Sequence, residues 1–290
     1  MIYESLSEEE CYLLALMQDE SGIDLAEFCL VDDTDDGFSV NDGCFRAYPF
    51  QVSWWRNKSQ RQIDSASRSC GKSLSIKLRS FVFPFLFSDE EMVITAPEQN
   101  HLKPVTDNVE TLYRSNRLAR EVLAKGQSGI THRPFMIKMA NGSKIMEKIP
   151  QRDGRGVKGS HPVWLEQDEG QDYPEAGWEE IVETVKIQNP RARHRVHGVT
   201  RGVGDTFDEK ATGQDSQWKV HRLPALLRPN WTEKEKQDKI KEYGGSTEAI
   251  GYRRNVLGLS GDMNAPLFVL ARLAKCTDTD ELSDYNQGVY

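Results

Sequence analysis

The sequence predicts an α/β fold in which a mainly parallel sheet is flanked by helices, and two observations support this prediction. Short β-rich runs alternate with stretches of helical periodicity through the middle of the chain, as in strand–helix–strand units. The triplet Gly71-Lys72-Ser73 also stands where a strand can turn into a helix, and the adjacent carboxylates Asp168 and Glu169 follow a later apolar run. Together they indicate a phosphate-binding loop followed by an acidic strand end.

The candidate phosphate loop is the run Ser67-Arg68-Ser69-Cys70-Gly71-Lys72-Ser73. Gly71 allows the backbone to approach a phosphate closely, because it has no Cβ. Lys72 is placed to reach the β- and γ-phosphates of a nucleotide, and the Ser73 hydroxyl to ligate Mg²⁺. The run departs from the usual G-x-x-x-x-G-K-[ST] pattern, since Ala66 occupies the position of the first glycine. A surface turn that opens a helix is the alternative; that helix is predicted over residues 74–83, with Pro84 as its end.

The acidic pair supplies what a phosphate loop lacks for phosphoryl transfer to water. Asp168 suits a place in the Mg²⁺ shell, and Glu169 suits the orientation or deprotonation of the attacking water. Glu166 and Gln167 interrupt the strand before the pair, where a buried parallel strand prefers Val, Ile or Leu. An exposed acidic loop is the alternative interpretation.

Three further segments fit the same scheme, although each is also compatible with an ordinary strand or loop. The run at residues 92–97 is predicted as a core strand next to the phosphate strand. A second β-rich run starts at Val196, and Thr200 at its end is a candidate sensor of the γ-phosphate. Before the loop, the Gln51 amide is a candidate reader of the adenine edge.

Periodicity and turn residues predict the other elements. Helices are expected over residues 8–29 and 108–125 and after Pro174, and a hairpin around Asn141-Gly142. Residues 202–217 are predicted as a loop. Thr232, with Glu235 three residues later, predicts a capped helix.

Composition restricts the possible functions. The formal net charge is −8, from 37 Lys and Arg against 45 Asp and Glu, which argues against a generally basic DNA-coating protein. The densest basic run, residues 191–195, is either a local contact for a phosphate backbone or a solvated surface. The five cysteines show no C-x-x-C spacing, and no apolar stretch reaches 18 residues, so a soluble intracellular protein is expected.

From about Phe45 to Gly261 the chain resembles the large terminase subunit of tailed bacteriophages, the motor that packs DNA into procapsids. The likeness rests on a loop without its first glycine and with Arg68 before Gly-Lys, and on the segment 156–162 that leads to Asp168-Glu169. Gly198-Val199-Thr200-Arg201-Gly202 is similar to the coupling motif of that family, and residues 247–258 to its arginine-containing helix.

This resemblance implies an ASCE-type P-loop ATPase with a small helical lid, acting with ATP and Mg²⁺. It also implies an arginine that acts on the ATP of a neighbouring subunit, for which Arg155 is the candidate and Arg152 and Lys158 are rivals. Arg68 is then the arginine supplied in cis. The implied partners are double-stranded DNA, a pentameric ring of this chain on the portal protein, and a small terminase subunit, with no membrane. The expected location is the host cytoplasm, at the procapsid portal.

The domain organisation follows from the same comparison. We expect an N-terminal helical segment at residues 1–44, an ATPase core at 45–227, and a helical lid at 228–290 that leads towards a nuclease domain absent from this chain. Two alternatives remain open. One is a superfamily 2 helicase-like or other DNA-dependent ATPase, and the other is an assembly adaptor with a purely structural ATP site.

Overall fold

The computed structural model describes residues 47–124, 129–150, 156–157, 159–185, 187–201, 206–213 and 215–260. The strands are β1 (Arg61–Ala66), β2 (Glu91–Thr95), β3 (Ile130–His132), β4 (Phe135–Lys138), β5 (Lys144–Lys148), β6 (Trp164–Gln167), β7 (Arg193–Gly198) and β8 (Lys219–Leu223). They form one sheet in the order β3-β4-β5-β2-β6-β7-β1-β8. Neighbouring strands along β5-β2-β6-β7-β1-β8 pair in parallel, and those along β3-β4-β5 pair antiparallel. The predicted α/β class with a mainly parallel sheet is confirmed.

The described helices are α1 (Pro49–Trp55), α2 (Lys72–Leu86), α3 (Gln99–Ser115), α4 (Arg117–Glu121), α5 (Glu175–Thr184), α6 (Thr206–Ala211), α7 (Glu233–Glu242) and α8 (Ile250–Asn255). The main apolar core contains the central strands and the inner faces of α2, α3 and α5. Ala225, Tyr252 and Val256 form a second, smaller buried cluster beside α7 and α8. The predicted N-terminal helical segment lies outside the described residues, as do residues 261–290. No helix in the described ranges combines the length and apolar composition that a bilayer crossing needs.

The prediction that Pro84 ends the helix after the phosphate loop is wrong, because α2 continues to Leu86. Proline cannot donate to the carbonyl four residues back, which belongs to Ser80. In this fold the Tyr113 hydroxyl of α3 donates to the Ser80 carbonyl oxygen at 2.9 Å. A tertiary contact thus replaces the missing helical hydrogen bond, and the helix passes through the proline.

The predicted helix over residues 108–125 is placed too late. The structure has α3 from Gln99 to Ser115 and a separate α4. Asn116 between them is extended, and its side-chain oxygen accepts a hydrogen bond from the Ala119 backbone amide at 3.0 Å. This side-chain contact starts a new helical turn and divides the predicted helix in two.

Other local predictions have mixed outcomes. β4 and β5 pair antiparallel around Asn141, which confirms the hairpin. The Thr232 hydroxyl accepts from the Glu235 amide at 3.1 Å, which confirms the cap of α7. Residues 202–217 are not wholly a loop, because α6 lies there with Phe207 buried against Trp178. The short helix has too few apolar positions for its periodicity to be visible.

Strand β2 is not next to the phosphate strand, contrary to the prediction. It pairs with β5 and β6, and β6 and β7 separate it from β1.

The basic run at residues 191–195 is not a surface patch, because it leads into β7. Arg193 and Arg195 are buried, and Arg195 donates to the backbone carbonyls of Gln60 and Asn57. The two sequence interpretations of this run, a contact for a phosphate backbone and a solvated surface, are therefore wrong for these two arginines.

A row of buried charged side chains crosses the middle of the sheet and explains the polar residues in β6. His197 of β7 lies 2.9 Å from Asp64 of β1 and 2.6 Å from Glu166 of β6. Arg79 of α2 lies 3.4 Å from the same Glu166 carboxylate, and all four side chains are nearly or wholly inaccessible to solvent. We call these four residues the buried ion row. Buried charges are tolerated where each is paired, so Glu166 is compatible with a central strand.

The row also fixes the charge state of its histidine. Burial lowers the pKa of His197, but its hydrogen bonds and charge interactions with Asp64 and Glu166 outweigh burial and raise that pKa to about 9. Burial raises the pKa values of the Asp64 and Glu166 carboxyls, but the Arg79 charge and His197 beside Glu166, and the His197 contact with Asp64, hold both pKa values below their usual range. His197 is therefore a cation at neutral pH, held between two carboxylates.

This arrangement predicts a pH-dependent contribution of His197 to stability. A pKa raised from 6.5 to about 9 means that the contribution is complete below pH 6.5 and is lost as the pH rises through 9. In urea unfolding, the unmodified chain should have a larger free energy of unfolding than His197→Gln at pH 6.5. This difference should shrink by roughly 3 kcal/mol as the pH rises from 6.5 to above 9. The same substitution at the exposed His161 is the control for loss of an imidazole outside the core. A His197→Gln difference that stays constant from pH 6.5 to 9 would contradict the prediction.

Candidate functional site

The phosphate-loop candidate connects β1 to α2 at the carboxyl edge of the parallel strands, which is the usual ligand-binding edge of such sheets. Ser69 and Gly71 both have positive φ, at 64° and 91°, so the backbone turns sharply before α2. A Cβ on Gly71 would lie 2.7 Å from the Gln51 side-chain nitrogen. Both the φ value and this close approach require glycine at position 71. The predicted turn from strand to helix is present.

The underside of the loop is anchored to the protein. The Cys70 thiol is buried, lies 2.7 Å from the Ser67 hydroxyl and donates to the Leu223 carbonyl of β8 at 3.2 Å. Burial raises the pKa of this thiol, so it stays protonated. The Ser67 amide donates to the same Leu223 carbonyl at 2.9 Å. The Ser67 and Cys70 side chains therefore hold the loop in shape, and the other face of the backbone is left for a ligand.

Unlike Ser67 and Cys70, the other loop side chains predicted to meet a nucleotide are not buried. Arg68, Ser69 and Ser73 are exposed. The Lys72 ammonium group lies 3.4 Å from the carbonyl oxygens of Ala66 and Ser67, folded over the loop. A lysine in this position can move to an anion placed above the loop, because both of its present contacts are long.

Gln51 supports the loop from below. Its side-chain oxygen accepts from the Tyr48 amide at 2.9 Å, and its NH₂ group donates to the Cys70 carbonyl at 3.3 Å. The residue is buried under Gly71. In this conformation both ends of the amide bind the protein itself, so adenine recognition by Gln51 remains a prediction.

The acidic pair follows β6 at the same edge of the sheet. The Asp168 amide donates to the Thr95 carbonyl of β2 at 2.9 Å, which continues the pairing of the strands by one residue. The Asp168 side chain is buried, and one of its oxygens accepts from the Glu169 amide at 3.0 Å. Burial raises the pKa of Asp168 and Glu169 adds to this, while the positive charges of His197 and Lys72 act in the opposite direction. The loop and the acidic pair thus lie at the same edge of the sheet, because β1 and β6 both end there and only β7 separates them.

Glu169 has an unusual backbone conformation, with φ 51° and ψ 47° in the left-handed region. Such a conformation is uncommon for a residue other than glycine and marks a position held by its surroundings. One oxygen of its carboxylate accepts a hydrogen bond from the Gln171 side chain. The chain then forms a single 3-10 turn, Gly170–Asp172.

Thr200 follows β7, the strand between β1 and β6, so it lies between the loop and the acidic pair. Its side chain is 3 % exposed, yet its hydroxyl has no hydrogen-bond partner within the described ranges. An unpaired buried hydroxyl is costly and is found where a ligand or water completes it. Contact of this hydroxyl with a terminal phosphate stays a prediction.

Helix α8 closes the site from the C-terminal side. Its last residue, Asn255, accepts a hydrogen bond from the Arg68 amide of the loop at 3.3 Å. Arg254 donates to the Thr200 carbonyl at 2.8 Å, and the Gly258 carbonyl accepts from the Ser65 hydroxyl of β1 at 2.8 Å. The arginine-containing helix thus touches both the loop and the strand end.

The structure brings together most of the predicted site residues. Loop residues 67–73, the acidic pair and Thr200 share one edge of the sheet, and Gln51 lies under the loop. Arg155 and its rivals Arg152 and Lys158 lie outside the described residues. Sequence reasoning missed Gln171 and assigned no specific contact to Arg254, because neither belongs to a motif with a fixed spacing.

The residues present fit a divalent cation that binds together with phosphates. No group of three or more His, Cys, Asp or Glu side chains converges among the described residues, so a site built by protein ligands alone is not found there. Asp168 instead offers one buried carboxylate, and Ser73 one exposed hydroxyl. Mg²⁺ is commonly held in this way, by few protein oxygens with the rest from substrate and water.

Comparisons with known proteins locate this architecture among solved structures. No protein-family model matches the chain, and no curated protein matches it either. The HK97 bacteriophage large terminase is similar with a TM-score of 0.61 and 16 % identity, over 84 % of this chain and 55 % of that chain. The large terminase ATPase domain of Thermus phage P74-26 has a TM-score of 0.58 and 14 % identity, over 73 % of this chain and 93 % of that one.

A third similar structure is the large terminase of a thermophilic bacteriophage in complex with ADP. Its TM-score is 0.54 and its identity 14 %, over 73 % of this chain and 53 % of that chain. The chain thus spans nearly all of an isolated ATPase domain and about half of the complete terminases. At this level of identity the likeness establishes architecture. This chain has the P-loop ATPase fold of phage large-terminase ATPase domains.

Proposed function

We propose that this chain is an ATP-hydrolysing motor domain of a phage large terminase, which drives double-stranded DNA into the procapsid. The observation that carries the proposal is the placement of Lys72 and Ser73, on a glycine-dependent loop, at the same sheet edge as Asp168 and Glu169. This arrangement stands in a fold shared with terminase ATPase domains. A loop of this kind binds phosphates, and the two carboxylates supply the groups that hydrolysis requires.

The binding half of the mechanism belongs to the loop. Backbone amides of residues 69–73 and the Lys72 ammonium group hold the β- and γ-phosphates, helped by the N-terminal dipole of α2. Ser73 and Asp168 would hold Mg²⁺, which neutralises charge on the phosphates when it is bound. Arg68, exposed beside the loop, is the arginine proposed to act in cis.

The hydrolytic half belongs to Glu169 and Thr200. The Glu169 carboxylate orients a water molecule and accepts its proton as the water oxygen bonds to the γ-phosphorus, and the bond to the leaving ADP oxygen breaks. The Thr200 hydroxyl, which has no partner among the described residues, donates to the γ-phosphoryl group and so reports whether that group is present. A neighbouring subunit supplies an arginine, for which Arg155 is our candidate.

The partners follow from the function of a packaging motor. We propose a ring of this chain on the portal protein, a small terminase subunit as recruiter, and activity in the host cytoplasm. Contact with DNA is expected to be local, because the net charge is −8 and the basic run in β7 is largely buried.

The first prediction concerns the two halves of the site. Lys72→Ala should abolish detectable ATP binding, because it removes the cation that meets the phosphates. Glu169→Gln should keep ATP binding but lower turnover about a hundredfold or more, because an amide cannot accept the proton. Fluorescent-nucleotide binding and phosphate release, each with and without Mg²⁺, would measure this. Turnover at the parent rate in Glu169→Gln would refute the role of Glu169.

The second prediction separates ligand sensing from structure at Thr200. Thr200→Val removes a hydroxyl that bonds to nothing in the described protein, so stability should not fall, whereas turnover should drop about tenfold to a hundredfold. Thr184→Val is the matched control. Its buried hydroxyl donates to the Ile181 carbonyl at 2.7 Å, so it should lose about 1 kcal/mol of stability and keep its turnover. A Thr200→Val protein that loses stability but not turnover would contradict the sensor role.

The third prediction concerns assembly. Turnover should rise faster than linearly with protein concentration, because a neighbour completes each site. Arg155→Ala should lower turnover only at concentrations at which subunits associate, which sedimentation would establish in parallel. Lys72→Ala is the control, inactive at every concentration. An equal loss of activity in dilute monomers would rule out a trans role for Arg155.

A further inference from the structure

We propose that Gln171 is the positioning residue of the site, which orients the Glu169 carboxylate and connects it to the loop after β7. This inference rests on the proposed ATPase function. Gln171 lies in the single turn after the acidic pair, two residues beyond Glu169. One end of its amide contacts Glu169 and the other contacts Val199. No other side chain in the described ranges links Glu169 to the loop after β7.

The hydrogen-bond chemistry fixes the direction in which the Gln171 amide points. Its oxygen accepts from the Val199 backbone amide at 3.0 Å. A backbone N–H can only donate, so the oxygen must face Val199 and the NH₂ group must face the other way. That NH₂ group donates to the Glu169 carboxylate. The amide is therefore bonded correctly at both ends in one orientation only.

Packing leaves the Gln171 side chain little freedom to take another position. A Cβ on Gly198 at the end of β7 would lie 2.5 Å from the Gln171 oxygen and 2.8 Å from the Phe207 ring. The turn is also fixed from the other side, where the Trp178 ring nitrogen donates to the Gly170 carbonyl at 3.1 Å. Glycine at position 198 thus makes room for the glutamine, and the tryptophan holds the turn that carries it.

Glu169 needs such a partner because regular structure does not fix its side chain. The strand has ended, and the residue is in the left-handed region. A carboxylate that must meet a water molecule in one geometry loses rate when it is free to turn. Gln171 provides the side-chain hydrogen bond to Glu169 within the described ranges.

A neutral amide suits this position better than a charged group. Asp168, Glu169 and Asp172 lie within one short stretch, and Arg201 already pairs with Asp172. The positive charge of Lys72 also acts on Asp168, in the direction that lowers its pKa. A lysine or arginine at position 171 would pair with Glu169 and hold it away from water. An amide orients the carboxylate without neutralising it.

The second contact of Gln171 gives it a coupling role. Val199 precedes Thr200, whose carbonyl accepts from Arg254 of α8. The Glu169 carboxylate is therefore joined through one side chain to the segment that carries the proposed phosphate sensor and touches α8. Movement of that segment changes the bond that orients Glu169.

Two substitutions separate the two ends of the amide. Gln171→Glu keeps an oxygen for the Val199 amide but replaces the donor to Glu169 with a second carboxylate. Gln171→Met keeps the volume and loses every hydrogen bond of the side chain, including the long one of 3.4 Å to Asp172. We expect Gln171→Glu to lower kcat by about tenfold to a hundredfold, at least as much as Gln171→Met, with ATP affinity and KM within about twofold of the parent. A purely structural role through Val199 would leave Gln171→Glu near the parent rate.

Gln237→Glu is the matched control, because Gln237 also donates to a glutamate, Glu233 at 2.9 Å, but on the exposed face of α7. Steady-state hydrolysis, binding of a fluorescent ATP analogue and thermal unfolding of all four proteins form one experiment. Parent-like kcat in Gln171→Glu, or a loss confined to ATP affinity or stability, overturns the positioning role alone. Absence of turnover in the unmodified chain at concentrations at which subunits associate overturns the proposed function, and the positioning role with it.

Discussion

The structure depends on the buried ion row beneath the phosphate loop. The row joins four elements, one through each of its residues. Strand β1 leads into the loop, β7 ends before Thr200, β6 ends before the acidic pair, and α2 is the helix that follows the loop. Because each of these charges is buried, removing one partner would leave another unpaired in a medium of low polarity. The relative positions of the strands, and so of the site residues at their ends, are tied to one set of ionic contacts.

The fold class could be predicted from the sequence because it depends on local signals. The Gly71-Lys72-Ser73 triplet, the alternation of strand and helix, and the Asn141-Gly142 turn act over few residues. The order of the strands could not be predicted, since nothing local places β6 and β7 between β1 and β2. Pro84 shows the same limit: its local effect is to end a helix, and a tyrosine from α3 overrides it.

For the candidate site, sequence patterns located the groups proposed to touch ATP but not the residues that support them. Lys72, Asp168 and Glu169 stand in recognisable motifs, and the roles assigned to them remain proposals. The role of Gln171 depends on a contact between the turn after β6 and the residue after β7, and these lie 28 residues apart in the sequence. The polar residues of β6 gave a misleading signal, because Glu166 pairs with His197 and Arg79 far from it in sequence. Long-range pairing of this kind leaves no spacing that a single sequence can reveal.

The contacts between the loop strand and the chain beyond α8 have a consequence for biosynthesis. Ser65 and Gly258 are 193 residues apart, and their hydrogen bond, like that between Arg68 and Asn255, joins the two ends of the ATPase fold. During translation β1 and the loop emerge early, but the segment that closes over them is made much later. A nascent or prematurely terminated chain therefore lacks the contacts that close over the loop, so the proposed nucleotide site is complete only after this later segment has been synthesised.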